Sequence, residues 1–201
     1  GDATEANVRA DVQALAQVAT SGDEVIFWSS GHGGATGTYE GAYQSSGSNY
    51  AGNDPGTGYS YALMYRFQST SQEFNTNDEA YSAGEMRQDM DAFASGVNFM
   101  VGIDMCQSGG FIYEMQQNGD HYAAGDMLVI TTCGVNGYGY DQSANNNGKF
   151  TYWMMEGFST GGQTSFEGAF NWMNQSGRYL PASHAADNPQ IGDGFSGSFV
   201  A

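Results

Sequence analysis

Two short stretches set a reactive side chain in a frame of glycines: Ser30-Gly31-His32-Gly33-Gly34 and Asp104-Met105-Cys106-Gln107-Ser108-Gly109-Gly110. An imidazole and a thiol are the pair that nucleophilic acyl chemistry needs. Histidine changes charge near neutral pH, and a thiol becomes a strong nucleophile once it loses its proton. Flanking glycines let backbone amides approach a substrate carbonyl closely and adopt dihedrals closed to other residues. The plain alternatives are a buried structural cysteine, the usual fate of a lone Cys, and a surface histidine in a glycine loop. His121 and His184 lack such framing and read as surface histidines. Cys133 reads as core, as a pocket wall, or as a disulfide partner of Cys106. A zinc site of Cys106, Cys133 and His32 has no CxxC or HxxxH spacing behind it, so no metal ligand is assigned.

Both reactive stretches follow hydrophobic runs that read as buried strands, EVIFWS at 24–29 and VNFMVGI at 97–103; a third, MLVITT at 127–132, ends at Cys133. Helical patterns fall between them. Val8, Val12, Leu15 and Val18 recur at helical spacing over 2–19 and are expected to face inward. Ser82-Ala83-Gly84-Glu85 fits a capping box, opening a helix that turns Met86, Met90 and Phe93 inward and ends near Gly96. Residues 111–117, 149–158 and 164–174 also read as helices, the last opened by a second capping box, Thr164-Ser165-Phe166-Glu167. Residues 61–67 could form a strand, and the tail after Pro189 could add an edge strand. The Gly/Ser/Tyr/Asn-rich stretch 35–60 has no period and reads as a loop. Alternating helix and strand argues for an α/β fold with a mainly parallel sheet. Such sheets gather functional groups beyond the carboxyl ends of their strands. If the first two strands are neighbours, His32 and Cys106 emerge on one edge.

The formal net charge of −17 arises from only 5 Lys and Arg against 22 Asp and Glu, so the chain is short of bases rather than loaded with acids. Five cations neutralise few phosphates, which disfavours nucleic acid as a partner and docking to an anionic membrane. A cationic partner or substrate would be attracted. No run approaches the length of a membrane span. Gly1 opens on a polar stretch, without a signal peptide. Richness in Gly, Ser, Asn and Tyr with few Lys leans towards a secreted or periplasmic setting.

A hydrophobic strand ending in Ser-Gly-His-Gly, then one ending in Asp-x-Cys-x-Ser-Gly, resembles the caspase-like superfamily of cysteine peptidases: metacaspases, caspases, legumains, clostripain and gingipains. The similarity runs along most of the chain. Asp2-Ala3-Thr4 with Asn7 is like the start of the helix before the His strand in metacaspase-type domains. Asp141-Gln142-Ser143-Ala144 with Gly148-Lys149-Phe150-Thr151 looks like the segment after the third strand, and Asn188-Pro189-Gln190-Ile191 is similar to the ending of bacterial members. The resemblance implies a caspase-like three-layer sandwich, a mainly parallel central sheet flanked by helices, as a single domain over 1–201. It implies a cysteine endopeptidase with Cys106 as nucleophile and His32 as acid/base. The amides of Gly33 and Cys106 are the oxyanion-hole candidates, and Asp104, Ser108 and Asp141 are the substrate-binding candidates. In metacaspase-like members the Asp two residues before the Cys faces a P1 Arg or Lys. Caspases carry Gln there, and legumain-like members keep an acid yet favour Asn.

The chemistry needs no cofactor. Calcium activates some metacaspases, and the loop carboxylates Glu40, Asp54, Asp78 and Glu79 could supply oxygen ligands, though without EF-hand spacing. Domains of this superfamily normally begin with a strand, a helix and a strand ahead of the segment that opens this chain. That departure implies either a fragment of the domain or a precursor matured by cleavage, in which case the N-terminal segment is a partner alongside the peptide substrate. Two rivals stand outside catalysis: a silent caspase-like binding module, which would need neither His32 nor Cys106, and an adhesive domain, which should be indifferent to alkylation of Cys106.

Overall fold

A computed structural model describes residues 4–35, 60–63, 80–135, 137–142, 147–175, 178–179 and 188–200. A four-stranded sheet carries the fold: β1 (Glu24–Ser30), β5 (Asn98–Asp104), β6 (Met127–Thr131) and β9 (Gln190–Asp193), in the order β1-β5-β6-β9. β1, β5 and β6 run parallel, and β9 closes the far edge antiparallel to β6. A second sheet joins the short strands β2 (Gly33–Ala35), β3 (Ser60–Leu63) and β4 (Ala80–Ser82). β7 (Asp141–Gln142) pairs with β8 (Asn147–Gly148).

Alternation along β5 and β6 builds two cores. Phe99, Val101, Ile103, Met127 and Val129 point to one face, where helices α1 (Glu5–Ala16), α2 (Ala83–Asp91) and α3 (Gly109–Asn118) contribute Val8, Val12, Met86, Met90, Phe111 and Met115. Met100, Leu128 and Ile130 point to the other, against Phe150 and Met154 of α5 (Lys149–Ser159) and Phe170 and Met173 of α6 (Phe166–Met173). The fold is therefore a three-layer α/β sandwich. A short helix, α4 (Asp120–Ala124), leads into β6. Fully burying one such side chain stabilises by about 1.5–3 kcal/mol, which is why β5, apolar on both faces, sits inside the sheet.

The capping box at Ser82 forms as expected, with the Ser82 side chain accepting from the Glu85 amide and Glu85 reaching back to the Ser82 amide. The second helix start differs by one residue. Ser165, not Thr164, caps α6 by accepting from Gly168, while Glu167 accepts from the Phe199 amide of the C-terminal segment. α1 is shorter than its pattern: Val8 and Val12 pack on the core, but Leu15 is 42% and Val18 70% exposed. The inward stripe runs through Val8, Val12, Ala16 and Ala19, so Leu15 and Val18 each sit one position off it. Arg9 holds α1 to α2 by donating to Asp89 at 2.8 Å and to Glu85 at 3.1 Å, so two buried carboxylates share one guanidinium.

β1 differs from its reading as a buried strand. Among the described residues it ends the sheet, and Ile26 is 55% exposed. β3 is Ser60–Leu63, shorter than the expected 61–67, whose remainder lies outside the described residues. Gly102 in the middle of β5 permits a close approach. A Cβ there would lie 2.1 Å from the Trp28 ring, which crosses β5 at this point and stacks on Phe150 with centroids 5.7 Å apart.

Candidate active site

The ladder between β1 and β5 keeps one offset throughout, from Glu24↔Asn98 to Ser30↔Asp104, and the last pair is 74 residues apart in sequence. His32 and Cys106 carry that same separation, each two residues beyond the final pair. The Gly31 amide still donates to the Asp104 carbonyl at 3.0 Å, so the pairing continues one step past the strands. Neighbouring parallel strands run about 4.8 Å apart. The two reactive residues thus leave adjacent strands at equivalent positions of one sheet edge. His32 is exposed and Cys106 partly so, its thiol donating to the Gly139 carbonyl at 3.7 Å.

The turn after Cys106 is sharp. Gln107 has φ 58°, the left-handed region that non-glycine residues rarely occupy, and its amide donates to the Gly137 carbonyl at 2.8 Å. This places Cys106 at the apex of a strand-to-helix bend. α3 begins at Gly109, three residues beyond Cys106. A cleft of roughly 420 Å³ lies beside the start of α3, lined by Gly109, Gly110, Tyr113 and Val135 among others, and includes none of Cys106, His32 and Asp104.

No family model and no curated protein sequence matches this chain. Its fold is similar to the crystal structure of protein GSU0716 from Geobacter sulfurreducens, with a TM-score of 0.60 and 18% sequence identity over 99% of this chain and 74% of that one. At that identity the likeness is one of fold alone.

The remaining site candidates divide by their surroundings. Asp104 is buried at the end of β5, paired with Ser30 and two residues before Cys106. Its Oδ2 accepts from the Thr151 amide at 2.9 Å, the Thr151 hydroxyl at 2.6 Å and the Ser30 hydroxyl at 3.4 Å. It therefore caps α5, a helix 47 residues further along the chain, as well as standing beside the reactive pair. Gly33 opens β2, paired with Ala62 of β3. Ser108 is fully buried and ties the loop after Cys106 to the end of β6: its hydroxyl donates to the Cys133 carbonyl and accepts from the Cys133 amide, both at 3.4 Å. The backbone of Asp141 pairs with Gly148; its side chain lies outside the described residues.

Cys133 is a free, fully buried thiol that donates to the Met105 carbonyl at 3.4 Å. Burial pushes its pKa up from the ordinary thiol value, only partly offset by Ser108. Cys106 is free as well, so the two form no disulfide. His121 corrects its surface reading. It is buried, with its ring edge-on to Phe99 at 4.8 Å and Nδ1 3.9 Å from Asp126. His184, Glu40, Asp54, Asp78 and Glu79 lie outside the described residues. Among the described residues, no three His, Cys, Asp or Glu side chains are grouped to hold a metal ion, and no helix is long and apolar enough to cross a membrane.

Thr151, Gly139 and Gln107 are site neighbours to which the sequence reading assigns no role. Thr151 and Gly139 carry no local signal, because only the tertiary fold brings them to the sheet edge. Gln107 could have been suspected only from its place between a reactive residue and a glycine pair.

Proposed function

We propose that this protein is a cysteine endopeptidase that hydrolyses peptide bonds through a Cys106–His32 dyad, cutting after Arg or Lys. The observation that carries this reading is the matching position of the two residues, each two steps beyond the same pair of adjacent parallel strands. In the proposed reaction the Cys106 thiolate attacks the scissile carbonyl and forms a tetrahedral adduct. The amides of Gly33 and Cys106 donate to its oxyanion. Collapse breaks the C–N bond as His32 protonates the leaving amine. Water, deprotonated by His32, then cleaves the thioester and regenerates the thiol.

Asp104 beside the dyad supports a basic P1 side chain, because a buried carboxylate favours a cationic partner that can hydrogen-bond to it. The resemblance to the caspase-like superfamily points the same way. It also suggests a precursor cleaved during maturation, with an N-terminal segment supplying a further strand. The exposed Ile26 on β1, at the end of the sheet among the described residues, suits such a neighbour. A secreted or periplasmic setting and activation by calcium complete the proposal.

The test is hydrolysis of fluorogenic peptides with P1 Arg, Lys, Asn and Asp by the full chain, with and without calcium. Cleavage after Arg and Lys is expected. Cleavage after Asn alone would retain the peptidase and replace the pocket reading by a legumain-like one. No turnover by folded protein that includes the N-terminal segment would overturn the reading in favour of a silent binding module.

A further inference from the structure

We propose that Thr151, backed by Trp28, is the positioning residue that aims the Asp104 carboxylate at a basic P1 side chain. This rests on the reading of Asp104 as the acid of the specificity pocket. The hydrogen bonds define a one-way relay. The Trp28 indole N–H can only donate, and it donates to Thr151 Oγ1 at 3.1 Å. The Thr151 hydroxyl therefore accepts from Trp28, and its own proton goes to Asp104 Oδ2 at 2.6 Å, parallel to the amide of the same residue at 2.9 Å. A rotor that could point several ways is thus held in one orientation. Ser30 adds a longer contact, 3.4 Å, to the same oxygen. Donors converging on Oδ2 fix the plane of the carboxylate and hence the direction in which Oδ1 points.

The relay is anchored in the core rather than on the surface. Trp28 is clamped between its stacking partner Phe150 and the bare backbone of Gly102, and it belongs to the strand that delivers His32. Phe150 precedes Thr151 on α5, so one aromatic stack sets both ends of the relay. A guanidinium or ammonium is recognised by direction as well as charge. Loosening Asp104 should weaken binding of the basic side chain while leaving the dyad untouched.

The test compares wild type with Thr151→Val, Thr151→Ser and Trp28→Phe, using peptides with P1 Arg and P1 Asn and a thermal melt of each variant. Thr151→Val keeps the shape and removes the relay. We expect the KM for P1 Arg to rise roughly tenfold, the scale of one charge-assisted hydrogen bond, with kcat within about twofold. Thr151→Ser should restore the KM. Trp28→Phe, which keeps the ring on Phe150, should move KM in the same direction by about threefold, and it carries the test if the valine variant does not fold. A wild type that favours P1 Arg but whose variants keep its KM overturns the inference alone. So does an equal loss of kcat on both peptides, which would mark the Asp104–Thr151 contact as a helix cap and nothing more. A wild type indifferent to P1 charge overturns the pocket reading and the inference with it.

Discussion

Cys106→Ala is expected to lower kcat for peptide hydrolysis by at least about 10⁴-fold, because no other group at this edge can form the thioester. The second thiol does not substitute. Cys133 is fully buried, donating to the Met105 carbonyl. The folded state should barely notice the change. The Cys106 thiol is partly exposed, and among the described residues it donates only a long 3.7 Å contact to Gly139, so stability should stay within about 0.5 kcal/mol. His32→Ala is expected to cost roughly 10²–10⁴-fold, the usual share of an acid/base group. The double variant should be little worse than Cys106→Ala, because the two residues act as a unit. Steady-state kinetics beside a thermal melt reads all of this. Substantial turnover by folded Cys106→Ala would remove the thiol from the mechanism.

The second large effect is expected from Gly148→Ala. The backbone there, φ −57° and ψ 141°, is open to alanine, so the cost comes from space alone. A Cβ would lie 2.0 Å from Asp104 Oδ2, 2.7 Å from its Cγ and 3.0 Å from the Ser30 hydroxyl. The carboxylate must swing away, breaking its bonds to Thr151 and uncapping α5. Overpacking of this kind costs about 1–3 kcal/mol and loss of a cap about 1 kcal/mol more. At 2–4 °C per kcal/mol for a domain of this size, the melting temperature should fall by roughly 5–15 °C. Preference for P1 Arg over P1 Asn should fall at the same time. An unchanged melting temperature would mean that Asp104 is not held where the structure puts it.

The sequence carried the reactive pair but not its support. His32 and Cys106 were legible because each follows an apolar run directly and stands among glycines, features that need no tertiary knowledge. That their strands are neighbours in one register was not legible, since nothing local encodes pairing across 74 residues. The layered fold followed from alternating patterns, and the capping box at Ser82 from its four residues. Helical spacing alone misjudged Leu15 and Val18, because Ala16 and Ala19, one position further on, take the core-facing places. It also misplaced the cap of α6, where Thr164 and Ser165 are equivalent by type and only the chain direction chooses Ser165. His121 looked like a surface residue because its packing partner, Phe99, belongs to another element. Asp104 was legible as a carboxylate beside a thiol, but its grip on α5 depends on Thr151 arriving from far along the chain.

The most direct measurement is covalent labelling of the full chain with a peptidyl acyloxymethyl ketone carrying P1 Arg, mapped by mass spectrometry. In that reaction a thiolate displaces the carboxylate leaving group and forms a thioether. The expected result is one adduct per chain on Cys106 and none on Cys133, whose thiol is buried and harder to ionise. The matching reagent with P1 Asn should react at least about tenfold more slowly, the scale of one charge-assisted contact. Absence of any adduct on folded protein, or labelling of Cys133 as fast as Cys106, would contradict Cys106 as the nucleophile of a peptidase.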